Sequence, residues 1–174
     1  MDSLSYFYTA DIGAGIVMLR LAAAAVLGLV IGVDRELRAV SAGLRTHMLV
    51  SLAAATFAIL AFEIVARATA EGVQNPDPVR IIEAVTAGVA FLAAGTIIRG
   101  SNGVHGLTTG AAMWLAGAIG LACGVGAFFV AIVATVLGMV ILTAVRAAEK
   151  AADLKQSRKA GILKGGDTGD AAGT

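Results

Sequence analysis

Five apolar runs dominate the chain, at residues 14–33, 48–65, 81–98, 107–123 and 125–145, and the polar positions gather in the short stretches between them. A bilayer core needs roughly 20 residues of helix, with about 17 to 25 workable, so each run meets or approaches the length of a span. Continuous apolar runs carry no periodicity that separates helix from strand, but an open sheet in lipid would leave its edges unsatisfied, and helices follow. The expected fold is therefore an all-α integral membrane bundle of about five transmembrane helices over residues 1–148, with residues 149–174 as a polar, disordered cytoplasmic tail. The connection at Gly124 is so short that the last two spans are expected as an antiparallel pair. Ahead of the first span, Tyr6, Phe7 and Tyr8 suit an aromatic anchor at the headgroups. No cationic segment precedes that span, so a retained helix is expected rather than a removable signal peptide. Between the second and third runs, NPDP at Asn75 to Pro78 stops one helix, and Arg80 opens the next.

Composition supports this class. Of 174 residues, 58% are hydrophobic and 14% charged, against about a quarter charged in soluble domains. The 22 glycines favour close helix contact, because small side chains let backbones approach where lipid removes the hydrophobic drive. Gly28 with Gly32 and Gly120 with Gly124 have the spacing of such contacts, within one chain or between chains. The lone Cys123 excludes an intrachain disulfide and reads as a small core residue; Trp114 reads as core or lipid-facing filler.

Charge adds orientation. With the N-terminus outside, the inner side holds ten Lys and Arg (Arg35, Arg38, Arg45, Arg99, Arg146, Lys150, Lys155, Arg158, Lys159, Lys164) against three outside (Arg20, Arg67, Arg80). That bias places the C-terminus in the cytoplasm.

The candidate chemistry lies at two levels. At the inner end of the first two spans, GVDRELRAVSAGLRTH sets Asp34, Arg35, Glu36, Arg45, Thr46 and His47 in a dense junction. Topology explains the arginines but not the acids, so an ion-pair network is expected there, with Gly43 turning the chain and Thr46 opening the second helix. Arg99 marks the inner end of the third span, and Gly100, Gly103 and Gly106 form a mobile turn back into the membrane. Thr108 and Thr109 then begin the fourth span, where they satisfy the helix start or line a polar path. His105 and His47 without matched acidic spacing make a weak metal signal, and no metal or cofactor is expected. Toward the outer side, Arg20 lies about four turns from Asp34 and Glu63 a similar distance from His47. Arg20 either pairs with Glu63, drawing in Glu83, or snorkels to the surface while the glutamates meet water. Neither a nucleophile with its base nor a nucleotide-binding loop emerges, so no enzyme and no nucleic-acid partner is expected.

From about Arg20 to Phe128 the chain resembles the membrane domain of the MgtC/SapB family. AGLRTH, the DPVRI start of the third span with AGVAFLAAG, and GLTT carry the likeness. It departs with Asp34 where Glu is usual, Ala90 and Ala93 where some members have Gly, and Gly110 where Ala is usual. The resemblance implies a multi-pass bacterial inner-membrane protein linked to magnesium limitation, acid stress and intracellular survival. It further implies a regulator of other membrane proteins, including the F-type ATP synthase and transport ATPases, rather than a proven ion carrier. Many members carry an ACT-like soluble domain after the spans; none is expected in this chain. The leading expectation is a non-enzymatic, self-associating regulator whose partners are the lipid bilayer, a second copy and another membrane protein. The rival is a small cation, or magnesium, transporter or channel component.

Overall fold

The computed structural model describes residues 12–38, 40–73, 77, 79–100 and 103–165, the part beyond Ala147 by its backbone. It contains α1 (Ala14–Glu36), α2 (Leu44–Ala70), α3 (Val79–Ala94), strands β1 (Ile98–Gly100) and β2 (Gly103–His105), α4 (Leu107–Gly124) and α5 (Phe128–Gly165). The all-helical membrane fold is thus present as five helices. Four of them, α1, α2, α4 and the stretch Phe128–Ala147 of α5, are long and apolar enough to cross a membrane. Tyr6, Phe7, Tyr8, most of NPDP and residues 166–174 lie outside the described residues.

Two boundaries differ from the apolar pattern. α3 has 16 residues, about 24 Å of helix, and stops at Ala94 instead of running to Ile98. There Gly95 and Thr96 turn the chain, with the Thr96 hydroxyl donating to the Ala93 carbonyl at 2.7 Å. The β-branched run Thr96, Ile97, Ile98 then favours extended backbone. The glycine-rich return is not a loose turn but an antiparallel hairpin, with Ile98 opposite His105, Arg99 opposite Val104 and Gly100 opposite Gly103. Gly106 closes it with φ of +88°, and a side chain there would run into the Thr96 carbonyl. At the other end of the chain, α5 keeps helical backbone past Val145 as far as Gly165. The chain divides into one unit ending at Gly138 and a second, from Met139, that holds the rest of α5.

In the first unit α2 is the central helix, packed on both sides through glycine. A Cβ on Gly28 would lie 2.8 Å from the His47 carbonyl, and one on Gly32 would lie 2.7 Å from Leu44 Cα, so α1 meets α2 backbone to backbone. From α4, Gly120 abuts the Ser51 backbone, and a Cβ on Gly124 would lie 2.6 Å from the Ala55 carbonyl. Both glycine pairs therefore serve contacts within the chain. Ser51, fully buried, donates from its hydroxyl to the Ala24 carbonyl at 2.8 Å and links α2 to α1. α3 leans on α4, with the Val89 side chain against Gly117 and the Ala93 carbonyl beside Gly110. Cys123 is fully buried, and Trp114 is 53% exposed, facing outward from the bundle.

Candidate functional site

The last turns of α1 bury Ala24, Gly28, Ile31, Gly32 and Arg35 on one face, at the three- and four-residue steps of a helix. Asp34 sits beside this face and is also buried. Such charges are costly in an apolar setting unless bonded, and each has found a partner. Arg35 reaches α4, its Nη2 donating to Thr109 Oγ1 at 2.8 Å. Asp34 Oδ1 accepts from Arg38 Nη2 at 2.8 Å, one helical turn on. Asp34 Oδ2 and Arg35 Nε are buried and have no partner among the described residues.

Glu36 ends α1 and starts α2. Its Oε2 accepts from the Leu44 amide at 3.0 Å, which satisfies one of the free N–H groups of a helix start. Gly43 leaves room for this, since a Cβ there would run into the Glu36 carboxylate. α2 therefore begins at Leu44, with a cap supplied by the previous helix rather than by Thr46. One turn later, His47 is wholly buried, and its Nδ1 lies 2.8 Å from the Gly43 carbonyl. A carbonyl only accepts, so this contact assigns a proton to Nδ1. Nε2 has no partner among the described residues.

Thr109 also departs from expectation. Gly106 is the residue before α4, and no side chain caps that helix start. The buried Thr109 hydroxyl accepts from Arg35, while Thr108 is exposed. Arg45 and Arg99 are exposed as well, and Thr46 is partly buried. Exposed His105 stands on β2 and buried His47 in α2, and no group of metal-ligating side chains occurs among the described residues.

Of the two alternatives for Arg20, the pair with Glu63 is not formed among the described residues. Arg20 Nη1 donates to the Gly124 carbonyl at 2.7 Å, at the C-terminal end of α4, where a cation is favoured by the unsatisfied carbonyls. Gly126, with φ of +85°, makes space beside the guanidinium. Glu63 is partly buried, its Oε1 without a partner among the described residues, and Glu83 is exposed on α3. Arg20 and Arg35 are thus the same number of residues apart on α1 as Gly124 and Thr109 are on α4. The two helices run antiparallel with an arginine clamp at each end. A charge exchange follows as a prediction. Arg20→Glu is expected to destabilise the protein strongly, and adding Glu63→Arg is expected to restore none of that loss in detergent thermal unfolding. Recovery by the double variant would show a direct Arg20–Glu63 pair.

Sequence reading missed Ser51 and the carbonyl of Gly124. A lone serine within an apolar run, facing glycines on two other helices, was the available sign of the first; a backbone acceptor leaves no sign.

Glycine-packed helices long enough to cross a bilayer, with buried arginines tying their ends, define a multi-pass membrane protein. The chain belongs to the MgtC family, whose model matches residues 21–151. It is 39% identical over 121 residues to Protein MgtC of Salmonella typhimurium, covering 69% of this chain and 48% of that protein. It is 35% identical over 125 residues to the "Putative magnesium transporter YhiD" of Escherichia coli K12, covering 72% of this chain and 58% of that one. The uncharacterized protein slr0014 of Synechocystis is 37% identical over 131 residues, covering 74% and 52%. The chain spans about half the length of these curated relatives. No solved structure matches it.

Proposed function

We propose that this chain is a non-enzymatic regulatory protein of the bacterial inner membrane that acts by helix contact with itself and with a larger membrane protein, such as an ATP synthase or transport ATPase. We link it, by likeness to the family, to magnesium limitation, acid stress and intracellular survival. The observation that carries the reading is how the junction charges are used. Arg35 is bonded to Thr109 of α4 and Glu36 to the Leu44 amide of α2, and Asp34 is paired with Arg38 one turn on, so charges that a carrier would present to a passing ion are engaged by partners within the protein. The N-terminus is assigned to the outside and the C-terminus to the cytoplasm on the ten-to-three Lys and Arg bias. Reporters at Ser41 and at the C-terminus are expected to read from the cytoplasm.

A second reading, a small magnesium or other cation transporter, is favoured by the name of YhiD and by two carboxylate oxygens, Asp34 Oδ2 and Glu63 Oε1, that are buried without a partner among the described residues. Reconstitution separates the two. Purified protein in liposomes is expected to carry no magnesium or proton flux above empty vesicles, while crosslinking in native membranes recovers one defined membrane complex. Flux that disappears with Asp34→Asn or Glu63→Gln would establish the transporter instead.

A further inference from the structure

Between α2 and α3 lies a cavity of about 680 Å³, within the range that holds a small apolar ligand. Phe57, Leu60 and Ile64 of α2 and Ile81, Gly88 and Leu92 of α3 line it, and Arg80 is the charged residue of its wall. Gly88 forms open floor, since a Cβ there would meet no atom within 4 Å. The groove is also open at its rim, where Phe57, Leu60, Ile64 and Leu92 are each about half exposed or more. Water gains little in such a site, which lacks the two to four polar partners that hold it. An empty groove would forfeit the dispersion contacts of its lining.

The charge distribution selects the occupant. Arg80 stands at the start of α3, and its side chain is 85% exposed; its ion pair with Asp77 is a long 3.9 Å contact between exposed groups and holds it weakly. Its guanidinium therefore keeps donors for another anion. An apolar trough with an arginine at one end matches an acyl chain joined to a phosphate, and arginine binds phosphate oxygens in bidentate fashion.

We propose that the α2/α3 groove is a phospholipid site, with an acyl chain lying along Phe57, Gly88 and Leu92 and the headgroup phosphate held by Arg80. This site stands apart from the arginine clamps and does not depend on the regulatory reading.

The test is native mass spectrometry of the full chain, purified in mild detergent and titrated with phosphatidylglycerol. One tightly held phospholipid per chain is expected to survive detergent exchange. Arg80→Ala is expected to weaken its retention about ten-fold. Gly88→Leu, which adds bulk where a Cβ meets no atom within 4 Å, is expected to abolish retention while thermal unfolding in detergent stays at or above the parent value, leucine being the better helix former. Arg67→Ala, at an exposed arginine outside the groove, serves as the control and is expected to retain the lipid. Equal retention by all four proteins would overturn the proposal. So would a shift of Gly88→Leu from oligomer to monomer with lipid retention unchanged, which would give the groove to a second copy.

Discussion

Replacing Arg35 with Ala is expected to cost about 2 to 3 kcal/mol, the scale of a buried hydrogen bond to a charged group. For a chain of 174 residues this lowers the detergent unfolding midpoint by about 5 to 10 °C. The loss arises at α4, where the Thr109 hydroxyl gives up its donor and the inner clamp between α1 and α4 opens. Thr109→Val is expected to cost a similar amount from the other side, because it leaves Arg35, only 3% exposed, with a further buried N–H unpaired. Thr109→Ser keeps the acceptor and is expected to stay near the parent. The double variant Arg35→Met with Thr109→Val, compared with the single variants Arg35→Met and Thr109→Val, removes charge and partner together, and buried polar pairs replaced by apolar groups of similar size recover much of the loss. The coupling measured by the cycle should therefore exceed about 1 kcal/mol. Additivity within about 0.5 kcal/mol would mean that the two side chains do not work as a pair.

How far this clamp was legible in the sequence is instructive. Its location was: Asp34, Arg35 and Glu36 interrupt an apolar chain, and acids at a membrane face invite a search for partners. Its partner was not, since Thr109 is distant in sequence and a threonine at a helix start has an ordinary capping role. In the structure Gly106, in the left-handed region, precedes α4 without a side-chain cap, and the Thr109 hydroxyl accepts from Arg35 instead. Arg20 was open to two readings, a carboxylate partner in the membrane or the headgroup surface. The acceptor is instead a helix-end carbonyl, which every residue possesses and which no residue pattern reveals. The helices themselves were readable because a bilayer demands runs of about 20 apolar residues. The end of α3 was not, because Ile97 and Ile98 continue the apolar run while their β-branched backbones leave the helix.

The glycine contacts carry the second large prediction, because spacing alone marked Gly28, Gly32, Gly120 and Gly124 as packing positions without showing what they meet. All four meet α2, so this helix is gripped from two sides, and Ser51 lies at both contacts. Gly120→Ala is expected to be among the most damaging single-methyl changes in the protein. The added Cβ would occupy the place of the Ser51 carbonyl, and backbone has no rotamer by which to retreat. A loss of about 3 kcal/mol, the upper end of overpacking effects, is expected. If α2 shifts instead, the Ser51 bond to Ala24 and the close Gly28 contact are disturbed with it. Gly88→Ala is the matched control: the position is open, and alanine gains about 1 kcal/mol over glycine within a helix. The two substitutions should therefore shift the unfolding midpoint in opposite directions. Cys123 provides an independent readout, being fully buried on α4 near Gly120. Its thiol is expected to react with a maleimide in Gly120→Ala under conditions where the parent and Gly88→Ala remain protected. Parent-like stability together with a protected thiol in Gly120→Ala would mean that α2 and α4 are not in backbone contact at this crossing.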